Sequence, residues 1–310
     1  MRLVIAGGTG FLGSSLAQAY ADEGHDVRVL SRSLPAGQSA HESGTGMPGV
    51  TRVGWSPAEA GGGLADLLSG ADAVVNLAGE SIGGKRWTPA RRQALRDSRL
   101  TATRRLASAI QAAAVPPPVF VSASGVGFYG PHGNEALTEP APAGRDFLAR
   151  LCAEWEEAAL LVRRPGVRVA VVRTGMVLER SGGALEKMIP VFRAFAGGPF
   201  GSGRQFVSWI HRLDWIEMVR WIVQSPEVSG PVNATAPYPV VNRVFAHALG
   251  RALRRPALIP APGFALRAVL GEMADSLLTG QRVIPARALQ GGFHFRYPEI
   301  DLAFRGIFGE

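Results

Sequence analysis

The chain has 310 residues, a formal net charge of +8 and one cysteine, Cys152. That length suits one large α/β core with an appended subdomain, and a lone cysteine excludes an internal disulfide framework and a thiolate metal cluster, which points to a reducing compartment, the cytoplasm. No run approaches the ~20 apolar residues of a membrane span, and the opening MRLVIAGGTGFLG lacks the order of a secretory signal. Of the 33 basic residues only Lys85 and Lys187 are lysines. The arginines are dispersed without a basic run or interleaved aromatics, so the charge predicts neither nucleic acid nor a membrane as partner.

In chain order, Leu3 to Ala6 reads as a buried parallel strand, Phe11 to Glu23 has helical periodicity, and Val27 to Ser31 is a second strand. Between the first strand and the helix stand Gly7, Gly10 and Gly13, with Gly8 beside the first. In that context Gly7 allows a tight turn, Gly10 lets the backbone approach a pyrophosphate, and Gly13 lets the helix pack close to the strand. The pyrophosphate of a dinucleotide would meet the free N–H groups at the helix start. The second strand ends in Ser31-Arg32, where sites for NAD place a carboxylate. Serine and arginine would bind a 2′-phosphate that a carboxylate would repel, so the expected cofactor is NADP(H).

A third buried strand, Ala73 to Leu77, ends in Ala78-Gly79, small residues past which an adenine ribose and pyrophosphate can run. A long helix follows from Thr88 to Ala113, with Thr88 as cap and Pro89 at its first position. Then come a strand at Val119 to Ser122, a helix at Phe147 to Leu161 and a strand at Val167 to Val172. Strands alternating with helices predict an α/β fold, a Rossmann-type doubly wound parallel sheet, over residues 1–178. Residues 179–310 are expected to form a small, mainly helical C-terminal subdomain, with about 205–235 returning to the main sheet. Gly182 to Arg204 is glycine-rich and apolar, QFVSWIHRLDWIEMVRWIV reads as a strand leading into a helix, and residues 242–289 read as two amphipathic helices around a proline-rich loop. Such helices cover a pocket or supply a dimer face, leaving a monomer or a homodimer.

GGTGFLG, VVNLAGE, SAS followed by YG, RWTPARRQALRDSRLTATRRL, DFLARLCAEWEEAA, RTGMVL and the tail RVIPARALQGGFHFRYPEI span nearly the whole chain. In this combination the chain resembles the extended short-chain dehydrogenase/reductases, and within them the atypical SDR39U1-like epimerase-family group with its DUF1731-type C-terminus. The resemblance implies an oxidoreductase or epimerase acting on a small molecule. It also implies a cofactor site made of Gly7, Thr9, Gly10, Phe11, Leu12, Gly13, Ser31, Arg32, Leu77, Ala78, Gly79, Arg99 and Val177.

One feature of that superfamily is missing. Its chemistry uses a tyrosine and, four residues on, a lysine that lowers the tyrosine's pKa and holds the nicotinamide ribose. Four residues after Tyr20, Tyr129, Tyr238 and Tyr297 stand Gly24, Gly133, Asn242 and Asp301. Aligned through the helix, the tyrosine position falls on Phe147 or Leu148 and the lysine position on Leu151 or Cys152. Three readings follow: an enzyme with a relocated acid or base, a non-catalytic NADP(H)-dependent sensor or regulator of a partner, and a scaffold that keeps only the fold.

For the enzyme reading, Ser124 stands where the resemblance places a substrate-orienting serine, and Tyr129 lies in the loop just beyond; these are the catalytic candidates. His132, Glu135 and Glu139 fall in a glycine- and proline-rich loop read as solvated. Arg99 is expected near the cofactor, with Arg92 and Arg96 on a solvated face. Lys85 and Trp87 are expected to border the substrate pocket, and Arg204 and Gln205 to face an anionic or polyol substrate. His211 reads as a structural hydrogen-bonding group, since it lacks an evident serine or carboxylate partner.

Overall fold

The computed structural model describes residues 1–34, 39–41, 47–58, 63–83 and 85–309. The main sheet is built from β1 (Arg2–Ala6), β2 (Asp26–Ser31), β3 (Ser39–His41), β4 (Val50–Gly54), β5 (Ala73–Asn76), β6 (Val119–Gly125), β7 (Arg168–Thr174) and β8 (Gly230–Ala234). Its order is β8-β7-β6-β5-β1-β2-β4-β3, parallel throughout except that the edge strand β3 runs antiparallel to β4. The order reverses at β1, so the crevice of the doubly wound sheet opens at the carboxyl ends of β1 and β5.

Helices cover both faces. Along β1, Leu3 and Ile5 pack with Leu16 of α1 (Phe11–Asp22), while Val4 and Ala6 pack with Leu68 of α2 (Leu64–Leu68) and Leu106 and Ile110 of α3 (Pro89–Ala112). Both faces of the strand are dry, which is why its sequence is a continuous apolar run and not an alternating one. The Thr88 hydroxyl accepts from the Arg91 N–H at 3.1 Å and Pro89 opens α3, the start its sequence announces. On the same face lies α4 (Phe147–Ala159), capped by Asp146, whose carboxylate accepts from the Ala149 N–H at 2.7 Å.

The C-terminal part differs from its sequence reading in two places. The glycine-rich stretch contains α5 (Gly183–Arg193), whose Leu185, Ile189 and Phe192 supply a helical apolar face despite Pro190. After α6 (Arg212–Gln224) and α7 (Asn242–Leu253), the expected second amphipathic helix is three short ones: α8 (Gly263–Leu270), α9 (Met273–Leu278) and α10 (Ala286–Gln290). Gly271, at φ +63°, breaks α8 from α9, a backbone conformation that a side chain would strain. The chain ends in α11 (Ile300–Phe308), which packs Phe304 against Phe245 of α7.

Candidate functional site

The site grows from the glycine turn. Gly7 has φ +80°, and a Cβ on it would lie 2.6 Å from the carbonyl carbon and oxygen of Leu77, so the turn touches the loop after β5 backbone to backbone. A Cβ on Gly13 would lie 2.2 Å from the Gly7 carbonyl oxygen, so α1 sits flush on the turn. Gly10 caps α1 without a side-chain acceptor, leaving the first-turn N–H groups to an external anion. The ring of Phe11 lies against Gly182 and Gly183, and Gly183 in turn meets the Val177 carbonyl, which closes one wall of the groove.

At the end of β2, Ser31 is 4 % exposed and its hydroxyl shares a 2.7 Å hydrogen bond with that of Ser33. Arg32 is exposed beside them, and Arg52, which the sequence reading passed over, donates to the Ser33 hydroxyl at 3.4 Å. Two hydroxyls and the Arg52 guanidinium therefore gather at the end of β2, with exposed Arg32 between the serines in sequence, where a carboxylate is absent from the local sequence.

The opposite wall is pinned by Asn76, which is fully buried. Its amide donates to Thr103 at 2.8 Å and Ser122 at 3.2 Å, and its carbonyl accepts from the Ala78 N–H at 3.2 Å. Thr103 also accepts from the Trp155 indole N–H at 2.8 Å, so one hydroxyl joins β5, α3 and α4. The Arg99 guanidinium lies over the Trp155 ring at 5.0 Å and donates to the carbonyls of Leu95 at 3.1 Å and Glu80 at 2.9 Å. Burial holds its pKa below the usual arginine range. Glu80 is held by Arg91, a contact the sequence reading did not foresee.

The four residues on which the tyrosine and lysine positions fall divide between two faces of α4. A Cβ on Gly127 would lie 3.2 Å from the Leu148 Cβ, and one on Gly125 would lie 3.8 Å from the Cys152 sulfur, so Leu148 and Cys152 face the end of β6. Phe147 and Leu151 turn away onto Trp87 and Leu95, with the Trp87 and Phe147 rings edge to face at 5.4 Å. Burial, reinforced by the Glu156 charge, pushes the Cys152 thiol up to about 11, so it is an inert thiol at neutral pH.

Ser124, 5 % exposed, donates to the Glu156 carboxylate at 2.7 Å. Arg173 clamps that carboxylate in two bonds of 2.9 and 2.8 Å. The same guanidinium donates to the Tyr129 hydroxyl and the Glu139 carbonyl, each at 3.0 Å, and stacks on the Phe128 ring at 3.5 Å. Tyr129 is therefore not the loop residue reaching a pocket that its position suggested. It ends a one-turn helix at Val126–Tyr129, is completely buried, and donates to Asn233 at 2.7 Å; burial pushes its pKa up. Glu139 is likewise buried and accepts from the N–H groups of Asn233 and Arg287, and so is not solvated, whereas Glu135 is exposed. An arginine inside the apolar run VRVAVVRTG was the sequence signal for this network, since a charge there needs a buried partner.

The expected substrate residues scatter. Lys85 and Arg204 are exposed; Trp87 is 7 % exposed with its N–H on the Ile82 carbonyl at 3.0 Å. It is Lys187 of α5 that reaches the Lys85 loop, donating to the Gly83 carbonyl at 2.6 Å. Gln205 is spent on the carbonyls of Phe200 at 3.0 Å and Leu277 at 2.9 Å, so its amide ties a turn to α9 instead of facing a substrate. Arg92 and Arg96 pair with Glu272 and Glu154. His211 accepts from the Leu213 N–H at 3.1 Å as cap of α6 and stacks on Tyr297 at 3.9 Å; burial lowers its pKa to about 4, as suits a structural imidazole.

A glycine turn that opens a helix, set in the crevice of a doubly wound parallel sheet, defines an α/β protein of the Rossmann type. Residues 3–235 match the NAD dependent epimerase/dehydratase family and residues 261–307 match the Domain of unknown function (DUF1731). The chain belongs to the NAD dependent epimerase/dehydratase family. It is 40 % identical over 309 residues to the chloroplastic epimerase family protein SDR39U1 homolog of Arabidopsis thaliana, covering 99 % of this chain and 86 % of the relative. It is 39 % identical to the epimerase family protein SDR39U1 of Mus musculus, with 99 % of each covered. Among solved structures, human epimerase family protein SDR39U1 (isoform 2) with NADPH superposes with a TM-score of 0.89 at 38 % identity, with both chains fully covered. Among the described residues no helix is long and apolar enough to cross a membrane.

Proposed function

We propose that the chain binds NADP(H) in the crevice between β1, β2 and β5 and is an oxidoreductase- or epimerase-like protein acting on a small-molecule substrate in the cytoplasm, without the tyrosine–lysine pair. The observation that carries this is the glycine turn: with a Cβ on Gly13 placed 2.2 Å from the Gly7 oxygen, the turn and α1 form a cradle that only glycine permits, ending in uncapped N–H groups. Gly7, Thr9, Gly10, Phe11, Leu12 and Gly13 would hold the pyrophosphate and Ser31 and Arg32 the 2′-phosphate, with Leu77, Ala78, Gly79, Arg99 and Val177 completing the cofactor site. A bound nicotinamide supplies or removes a hydride. Ser124 remains the polar group at the end of β6 suited to orient a substrate hydroxyl, its own proton committed to Glu156.

One observation favours a second reading, an NADP(H)-dependent sensor or regulator without turnover. Of the residues on which the tyrosine and lysine positions fall, Leu148 and Cys152 face the end of β6 and neither can replace the pair, and Tyr129 is sealed in the core. Calorimetric titration of NADPH and NADH into wild type and Arg32→Ala tests the cofactor. NADPH is expected to bind more tightly, and the variant to lose about tenfold of that preference, about 1.4 kcal/mol for one exposed phosphate contact. Binding of neither cofactor overturns both readings.

A further inference from the structure

Lys85 and Lys187 are the two lysines among 33 basic residues, and the fold brings them to one place. From α5, Lys187 reaches the loop after β5 and donates to the Gly83 carbonyl at 2.6 Å, and Lys85 and Arg86 follow on that loop. All three cations are exposed, and among the described residues none of them forms an ion pair. The carboxylates of the flanking segments, Glu80 and Glu272, are held by Arg91 and Arg92, and Glu186, exposed beside Lys187 on α5, pairs with none of the three. The acceptor that Lys187 does have is a neutral carbonyl, and for an ammonium a carboxylate or phosphate oxygen is the stronger partner.

The cluster continues the crevice. α5 starts at Gly183, against the Phe11 ring of the glycine turn, and Lys187 stands one helical turn further on, so its side chain passes from one wall of the groove to the loop after β5. There it meets α9: a Cβ on Gly83 would lie 3.8 Å from Met273 Cε and 3.9 Å from Lys187 Nζ. Met273 packs with Ile82, Phe147 and Leu148, all half-buried, over Trp87, Leu95 and Leu151. Leu148 is the residue that meets Gly127 just past the end of β6, the strand that carries Ser124. Arg86 lies over Gly271, between α8 and α9, where a Cβ would be 3.0 Å from its Cγ and Nε. A half-buried apolar floor therefore runs from the end of β6 to a rim of three cations that lack a counter-charge.

We propose that Lys187, Lys85 and Arg86 form the anion-recognising rim of the substrate site, and that the substrate is a small molecule carrying a carboxylate or phosphate on an apolar body. The proposal rests on the NADP(H) reading above and names a substrate class for it. The apolar body lies on Met273, Ile82 and Leu148, the charge draws Lys187 off the Gly83 carbonyl, and Lys85 and Arg86 meet it from the loop. Lysine suits position 187, because a compact ammonium on a flexible stem exchanges one acceptor for another, whereas a guanidinium fork is tied to one geometry.

The probes are phenyl phosphate, phenylacetate and the neutral benzyl alcohol. Each is titrated calorimetrically at millimolar concentration into NADPH-loaded protein, so that the phosphate subsites of the cofactor are already filled. The variants are Lys187→Met, Lys187→Arg and the double variant Lys85→Met/Arg86→Met, with thermal unfolding to confirm that each is folded. At least one anion is expected to bind about tenfold or more tightly than benzyl alcohol, and Lys187→Met and the double variant each to weaken that anion about fivefold or more. Lys187→Arg is expected to recover part of the loss, and NADPH itself to stay within about twofold in every variant. The tighter of the two anions tells phosphate from carboxylate. Anions that bind no better than benzyl alcohol, or that bind the variants as well as the wild type, overturn the proposal and leave the NADP(H) reading standing. A wild type that binds no NADPH overturns that reading, and with it the role given to the three cations; the NADPH titration made on loading distinguishes the two failures.

Discussion

Arg173→Met asks what the buried network is worth. The arginine makes two bonds to Glu156, of 2.9 and 2.8 Å, and one each to Tyr129 and Glu139 at 3.0 Å, with its face on Phe128. Methionine fills much of the volume and none of the donors. A carboxylate is left in the core with the Ser124 hydroxyl as its remaining side-chain donor, and a carbonyl and a phenol lose a partner. Breaking one side of a buried ion pair costs about 3–5 kcal/mol, most of it the penalty for the stranded charge. For a chain of this length an unfolding entropy of about 0.65 kcal/mol/K turns 4 kcal/mol into a fall in Tm of about 6 °C. The double variant Arg173→Met/Glu156→Gln removes the charge while its amide oxygen still accepts from Ser124, and is expected to recover about 2 kcal/mol or more, since the uncompensated charge is gone. Urea unfolding of the wild type, both single variants and the double variant gives the cycle. A loss below about 1 kcal/mol for Arg173→Met, or a double variant as unstable as the two single losses added, would refute the reasoning.

Two further predictions concern single groups. Cys152 is expected to resist alkylation by iodoacetamide in native protein at pH 7.5 over hours and to react on unfolding, because its pKa of about 11 leaves almost no thiolate; rapid native labelling would contradict its burial. His211, whose pKa falls to about 4 on folding, stays neutral while the unfolded chain takes up a proton near pH 6.5, so its contribution is lost as pH falls from about 6.5 to 4. The full difference is up to about 3 kcal/mol. Asp214, pushed up by burial, works in the opposite direction, so the comparison that isolates the imidazole is with His211→Asn, which keeps an acceptor for the Leu213 N–H. Unfolding free energies measured at pH 7.5 and 5 are expected to diverge less in the variant; an unchanged difference would count against the assignment.

Strands at Leu3, Val27, Ala73, Val119 and Val167, the cap at Thr88 and the glycine turn are readable in the sequence because each is a local pattern. Apolar runs of strand length, a threonine before a proline, and glycines at fixed offsets depend on residues a few positions apart. The absence of a tyrosine–lysine pair is a fact of spacing of the same kind. The division of the expected second C-terminal helix into α8 and α9 is not readable in this way, since Gly271 breaks a continuous helical period by a backbone angle that periodicity does not register.

The fates of Tyr129, Glu139 and Gln205 were not readable, and the reason is distance along the chain. Tyr129 finds Asn233 104 residues away, Glu139 finds Arg287 148 residues away, and Gln205 finds Leu277 72 residues away. A polar residue in a loop looks solvated until the partner that satisfies it in the core is known. By itself, then, the sequence determined the doubly wound frame, the cradle of glycines and the missing proton donor. Only the tertiary structure decided which face of α4 meets the end of β6 and that Glu156 meets the charge of Arg173, because charge compensation in a dry core is settled by neighbours that the fold, and not the local chain, brings together.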